Sequence, residues 1–75
     1  MSKLPMLKAL DIAKVLERLG FEFKRQKGSH MIFQHPDGRT TVIPNHPTEY
    51  VDRNLLSKII KHDLKIEREE FLKNL

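Results

Sequence analysis

The residues best suited to chemistry lie in residues 25–39, RQKGSHMIFQHPDGR. His30 follows Gly28-Ser29, and Arg25 and Lys27 stand just upstream. An imidazole exchanges a proton near neutral pH and can also ligate a metal. Three roles are therefore open to His30: acid–base catalyst, metal ligand, or polar residue on a strand.

Metal binding fits the spacing poorly. His30 and His35 are five apart, so on a regular strand they point to opposite sides. No cysteine is present, and no HExxH motif or paired-carboxylate cluster stands nearby. His46 can approach only from a loop. His35, His46 and His62 read as polar residues facing solvent, and no metal or other cofactor is expected.

RNA hydrolysis suits a lone histidine. The substrate carries its own nucleophile, the 2′-OH beside the scissile phosphate, so proximity is already supplied. What remains is a proton acceptor or donor that works near neutrality and cations to hold the phosphate. His30 supplies the first. Arg25 and Lys27, two apart on one strand face, supply the second. Gly28 permits close approach of a backbone, and Ser29 can donate a hydrogen bond. A serine adjacent to a histidine in sequence is no Ser-His pair in space, so no triad is read here. From these residues alone, a strand-start histidine beside ordinary basic residues remains an equal alternative.

Several elements must position this segment. In ALDIAKVLERLGF, residues Ile12, Val15, Leu16 and Leu19 fall on one face of a helix expected from about Lys8 to Leu19. Gly20 supplies its stop. FEFKRQK alternates Phe21 and Phe23 as a half-buried strand, HMIFQH forms a second, and TTVIP a third that ends at Pro44. Between the last two, Pro36-Asp37-Gly38-Arg39 reads as a turn. After the loop NHPTEYVD, Asp52 can cap a second helix carrying Leu55, Leu56, Ile59 and Ile60. A last short helix, about Glu67 to Asn74, sets Phe71 and Leu75 against the body.

The order α-β-β-β-α with a short C-terminal helix predicts a small α+β two-layer sandwich, a three-stranded antiparallel sheet with helices on one face. The other sheet face is left open. If Phe33 faces the helices, then His30, Ile32 and Gln34 face away from them.

Composition bounds the class. The chain has 75 residues, no cysteine and 39% hydrophobic residues, which reads as one domain, 1–75, with a single core and no disulfides. No apolar run approaches a membrane span, and Lys3, Pro5 and Lys8 break the N-terminal segment, so a cytoplasmic protein without membrane contact is expected. The formal net charge is +4. It belongs to residues 1–62, with 11 Lys/Arg against 6 Asp/Glu, while residues 63–75 carry 3 against 4. An anionic partner such as nucleic acid fits that body.

The stretch LERLGFEFKRQKGSHMIFQHPDGRTTVIPNH resembles the HicA (YcfA-like) toxin family. Leu19-Gly20-Phe21, Arg25-Gln26-Lys27-Gly28-Ser29-His30, His35-Pro36-Asp37-Gly38-Arg39 and Val42-Ile43-Pro44 occur in the family's order. Leu55, Ile59 and Ile60 match its second helix, and Glu69-Glu70-Phe71 its closing segment. The resemblance implies a double-stranded-RNA-binding-domain-like fold and an mRNA interferase of a type II toxin–antitoxin system, an endoribonuclease that cleaves single-stranded mRNA without metal and inhibits translation. It implies His30 as the catalytic residue, with Gly28 and Ser29 completing the motif. It also implies a HicB antitoxin partner that blocks the site and carries the DNA-binding part, so that DNA is met only through the antitoxin. Arg25 and Lys27 as phosphate contacts come from position alone. Two segments depart from the family pattern. NHPTEYVDRN lacks the basic, glycine-containing stretch before the second helix, and DLKIEREEF replaces the alanine–glycine and serine lead-in to the last helix. The alternative reading is a non-catalytic RNA-binding or antitoxin-binding module.

Overall fold

A computed structural model describes residues 3–75. The first strand, β1 (Leu7–Lys8), runs directly into helix α1 (Ala9–Arg18). The expected helix is thus present to within a residue at each end. Ile12, Val15 and Leu16 are buried along one stripe, each contributing about 1.5–3 kcal/mol by leaving water. The helix ends in a Schellman motif. The Phe21 N–H donates to the Leu16 carbonyl and the Gly20 N–H to the Glu17 carbonyl, with Gly20 at φ +97°.

Strands β2 (Glu22–Lys27), β3 (His30–Gln34) and β4 (Thr40–Pro44) form an antiparallel sheet in that order. β2 and β3 meet through the two-residue turn Gly28-Ser29. Gly28 has φ +60° and Ser29 does not share the positive sign, the pattern of a type II′ hairpin turn. The loop from β3 to β4 is a β-turn in which the Gly38 N–H donates to the His35 carbonyl. Pro36 and Asp37 take its central positions, and Gly38 at φ +100° brings the chain back into register.

Strand alternation runs as expected in β3. Met31 and Phe33 are buried while His30 and Gln34 are exposed. Ile43 and Thr41 are their buried counterparts in β4. β2 is different, being exposed along its whole length. Phe23 packs its ring against Phe33 at 5.6 Å yet remains 49% exposed, because β2 is the sheet edge. The half-buried strand expected here is therefore half-covered only through Phe21, which is 2% exposed just before β2 begins.

The second layer continues after a short strand, β5 (Tyr50–Val51), which pairs antiparallel with β1. Neither was expected from sequence. Helix α2 (Arg53–Lys58) starts where the Asp52 carboxylate accepts from the Leu55 N–H at 3.3 Å, as its residue type predicts. Beyond Lys58 the helix widens into a π turn over Ile59–Leu64, and Lys65 closes it with φ +56°. Helix α3 (Arg68–Lys73) buries Phe71 completely. Leu75 departs from expectation. It is 49% exposed, because α3 ends at Lys73 and leaves the last residue at the rim. Two bonds lock the π turn to β4 and the residue before it: Thr41 Oγ1 donates to Asp63 at 2.9 Å, and the Arg39 guanidinium donates to the Leu64 carbonyl. The core thus sits between the sheet's inner face, α1 and the α2–π segment, and the outer sheet face is left to solvent.

Candidate functional site

The register of the sheet decides which side chains share the open face. His30 lies opposite Lys27 on β2 and opposite Pro44 on β4. Directly opposed residues share a face with their Cβ atoms about 4.5–5.5 Å apart. The next row on that face is Arg25, Ile32 and Val42, and the next brings Gln34 beside Thr40.

Arg25 and Lys27 reach this face only through an irregularity in β2. Phe23 pairs with Phe33 on the inner face, and plain alternation would carry Arg25 and Lys27 inward with it. Between Phe23 and Arg25 the register shifts by one residue. Lys24 is the extra residue of a β-bulge, and the bulge moves everything after it to the opposite face. The physical gain is clear. Phe23 keeps its aromatic contact, and two cations avoid the core side of the sheet.

Unlike Lys24 beside them, the three side chains are unpaired among the described residues. Lys24 Nζ binds Glu22 at 2.9 Å, and that hydrogen bond, followed by the charge of Lys24, holds the Glu22 carboxyl below its usual range. Among the described residues, no side-chain hydrogen bond or ion pair engages His30, Arg25 or Lys27. His30 is exposed, and no carboxylate fixes its ring. Gly28 faces open space where a Cβ would stand, so its positive φ, and not crowding, requires glycine. The Ser29 carbonyl accepts from the Asn45 N–H at 2.6 Å, which ties the hairpin turn to the chain leaving β4.

The remaining histidines separate by environment. His46 and His62 are exposed. His35 is no surface group, contrary to the reading from sequence. Its side chain is 21% exposed and stacks edge-on against Phe21 at 5.0 Å. Its Nδ1 accepts from the Asp37 N–H at 3.1 Å. Asp37 Oδ1 lies 3.0 Å from the same nitrogen. His35 is a packing residue on the sheet's inner side, and its position at the end of the Met31–Phe33 alternation already placed it there.

Sequence reasoning missed a groove at the margin of the open face. Pro44, Glu49, Tyr50, Val51 and Leu55 contribute to its walls. The visible signal was an aromatic, Tyr50, within a loop of proline and acidic residues.

The fold and this face define a small basic α+β domain: a bulged antiparallel sheet, helices packed on one side and unpaired cations around an exposed histidine on the other. A family model described as the HicA toxin of bacterial toxin–antitoxin systems matches residues 10–63, well over half of the chain. The chain belongs to the HicA toxin family, whose members work against an antitoxin partner. No match was found among curated proteins. No helix among the described residues is long and apolar enough to cross a membrane.

Proposed function

We propose that the chain is the mRNA-cleaving toxin of a HicA/HicB pair, a metal-independent endoribonuclease with His30 as its general acid or base. The observation that carries this reading is the bulge at Lys24, which brings Arg25 and Lys27 to the face of His30, where all three lack side-chain partners among the described residues. A phosphate-binding cation must be free to meet its ligand.

The reaction is an in-line displacement at phosphorus. The 2′-oxygen of the substrate forms a bond to phosphorus, and the bond to the 5′-oxygen of the next nucleotide breaks. His30 takes the 2′-OH proton or gives one to the departing 5′-oxygen, and water serves the other oxygen. Arg25 and Lys27 hold the non-bridging oxygens and offset their growing charge. The Ser29 hydroxyl and the open approach at Gly28 let the backbone lie against the hairpin turn. A single-stranded substrate suits an open, flat surface, since its phosphates can be splayed across the sheet. The HicB antitoxin would cover the same surface and bring the DNA contact.

Purified chain and His30→Ala incubated with long single-stranded RNA in EDTA test this. Fragmentation by the native chain alone supports the assignment. Intact RNA with both, given unchanged circular dichroism, refutes it. The second reading, a non-catalytic RNA-binding or antitoxin-binding module, draws on the absence, among the described residues, of a side chain bonded to the His30 ring. It requires RNA or antitoxin to bind the native chain and His30→Ala equally, with no turnover to lose.

A further inference from the structure

The groove beside β5 has no role in the reaction as described, yet it adjoins His30. Pro44, one of its walls, is the residue paired with His30 across β3 and β4. The row Lys27–His30–Pro44 crosses three strands, about 10 Å in all. Cations lie at its β2 end and the groove at its β4 end. Val51, Leu55 and Tyr50 give its lining an apolar part, and His46, Glu49 and Asp52 a polar one, with the Asp52 carboxylate engaged by the Leu55 N–H. Tyr50 is 56% exposed, and the Lys8 ammonium sits 5.5 Å from its ring centroid. Glu49 is an exposed lining residue, and no ion pair or side-chain hydrogen bond engages its carboxylate among the described residues.

An unpaired carboxylate repels a phosphate, so the groove does not take the backbone. It does fit a base. An exposed tyrosine offers a stacking surface of the kind that single-stranded RNA uses. A carboxylate offers acceptors only, so it favours a base edge that presents donors. Guanine places an imino N–H and an amino group side by side. Uracil flanks its single imino N–H with two carbonyls that face the carboxylate unfavourably.

The geometry points to this groove as a nucleobase subsite, in which Tyr50 stacks the base next to the scissile phosphate and Glu49 selects guanine. The inference rests on the ribonuclease reading for its place in the reaction. It can nevertheless be tested without turnover. The full chain, labelled with nitrogen-15, is titrated with guanosine 5′-monophosphate and with uridine 5′-monophosphate while backbone amide shifts are followed. The guanine nucleotide should move the amides of Tyr50, Val51 and Leu55 at concentrations about tenfold below those the uracil nucleotide needs, the scale of one good bidentate base contact. Glu49→Gln should erase that difference. Tyr50→Ala should weaken both nucleotides by about tenfold, the scale of one lost base–aromatic stack.

Equal response to the two nucleotides, no shift in the groove, or an unchanged preference in Glu49→Gln would overturn the proposal, whether or not the chain cleaves RNA. Cleavage assays on the same preparation report separately on the ribonuclease reading. If Tyr50→Ala and Glu49→Gln leave nucleotide shifts unchanged but abolish antitoxin capture, the groove is a protein-docking site and the subsite assignment is refuted.

Discussion

Replacing Gly20 with alanine isolates the coupling between the end of α1 and the sheet. Two costs add at this position. Gly20 has φ +97°, and an L-residue with positive φ costs about 1–2 kcal/mol. In addition, a Cβ at Gly20 would lie 2.9 Å from His35 Nε2 and 3.3 Å from its Cδ2. The imidazole must therefore move. Moving it sacrifices the bond from the Asp37 N–H to Nδ1, about 0.5–1.5 kcal/mol, and the edge contact with Phe21, again about 0.5–1.5 kcal/mol. Gly20→Ala should thus destabilise the chain by about 2–5 kcal/mol, a large share of the roughly 4–11 kcal/mol that a domain of this size possesses. In a His35→Ala background only the backbone cost remains, about 1–2 kcal/mol. The assay is a double-mutant cycle by urea unfolding of the four proteins. A coupling of about 1–3 kcal/mol is expected. Additivity within about 0.5 kcal/mol would refute the argument, because it would mean that the ring yields freely and does not clamp the helix end.

Other consequences can be measured on the same preparations. Lys65 holds φ +56° at the end of the π turn, where glycine carries no side-chain penalty. Lys65→Gly should raise stability by about 0.5–1 kcal/mol in urea, the balance of relieved strain over added chain entropy, and a loss would show that the lysine side chain contributes contacts of its own. Arg25→Ala and Lys27→Ala should each weaken single-stranded RNA binding and reduce the slope of log K against log salt by about 0.7, whereas Lys24→Ala, which removes a cation already paired with Glu22, should leave the slope nearly unchanged. Equal slopes for all three would sever the bulge from RNA binding. At acid pH, Asp37 provides a check on sign. Its carboxyl is held below the ordinary value, first by the Arg39 backbone N–H and then by the Arg39 side chain. Its contribution is therefore present above the unfolded-state pKa and disappears as pH falls through the lower folded value. Melting temperatures of native chain and Asp37→Asn should converge as pH falls through the lowered folded value, and parallel acid limbs would show that the carboxylate is unlinked to folding.

Wherever one short stretch held all the necessary information, the sequence was sufficient. The spacing of Ile12, Val15 and Leu16 marked α1, and Gly20 its end, because helix periodicity and a left-handed stop are local properties. Asp52 marked the start of α2 for the same reason. Alternation along HMIFQ placed Phe33 inward and His30 outward, and it set His35 on the side opposite His30.

Tertiary structure decided what depended on distant partners. The faces of Arg25 and Lys27 follow from Phe23 finding Phe33 on another strand, which forces the extra residue at Lys24. No pattern within EFKRQK encodes that competition. The β1–β5 pair joins residues more than forty positions apart, with only two residues contributed by each strand. Neither half is long enough to display a period of its own. The π turn over Ile59–Leu64 ends where Thr41 in the facing sheet and Arg39 just before it, more than twenty positions away in sequence, meet Asp63 and Leu64. The groove of Tyr50 and Glu49 exists only once β5 lies beside the end of β4. Local sequence thus established which residues could do chemistry. Long-range packing decided which of them stand together, because a side chain's neighbours across a sheet are chosen by the partner strand.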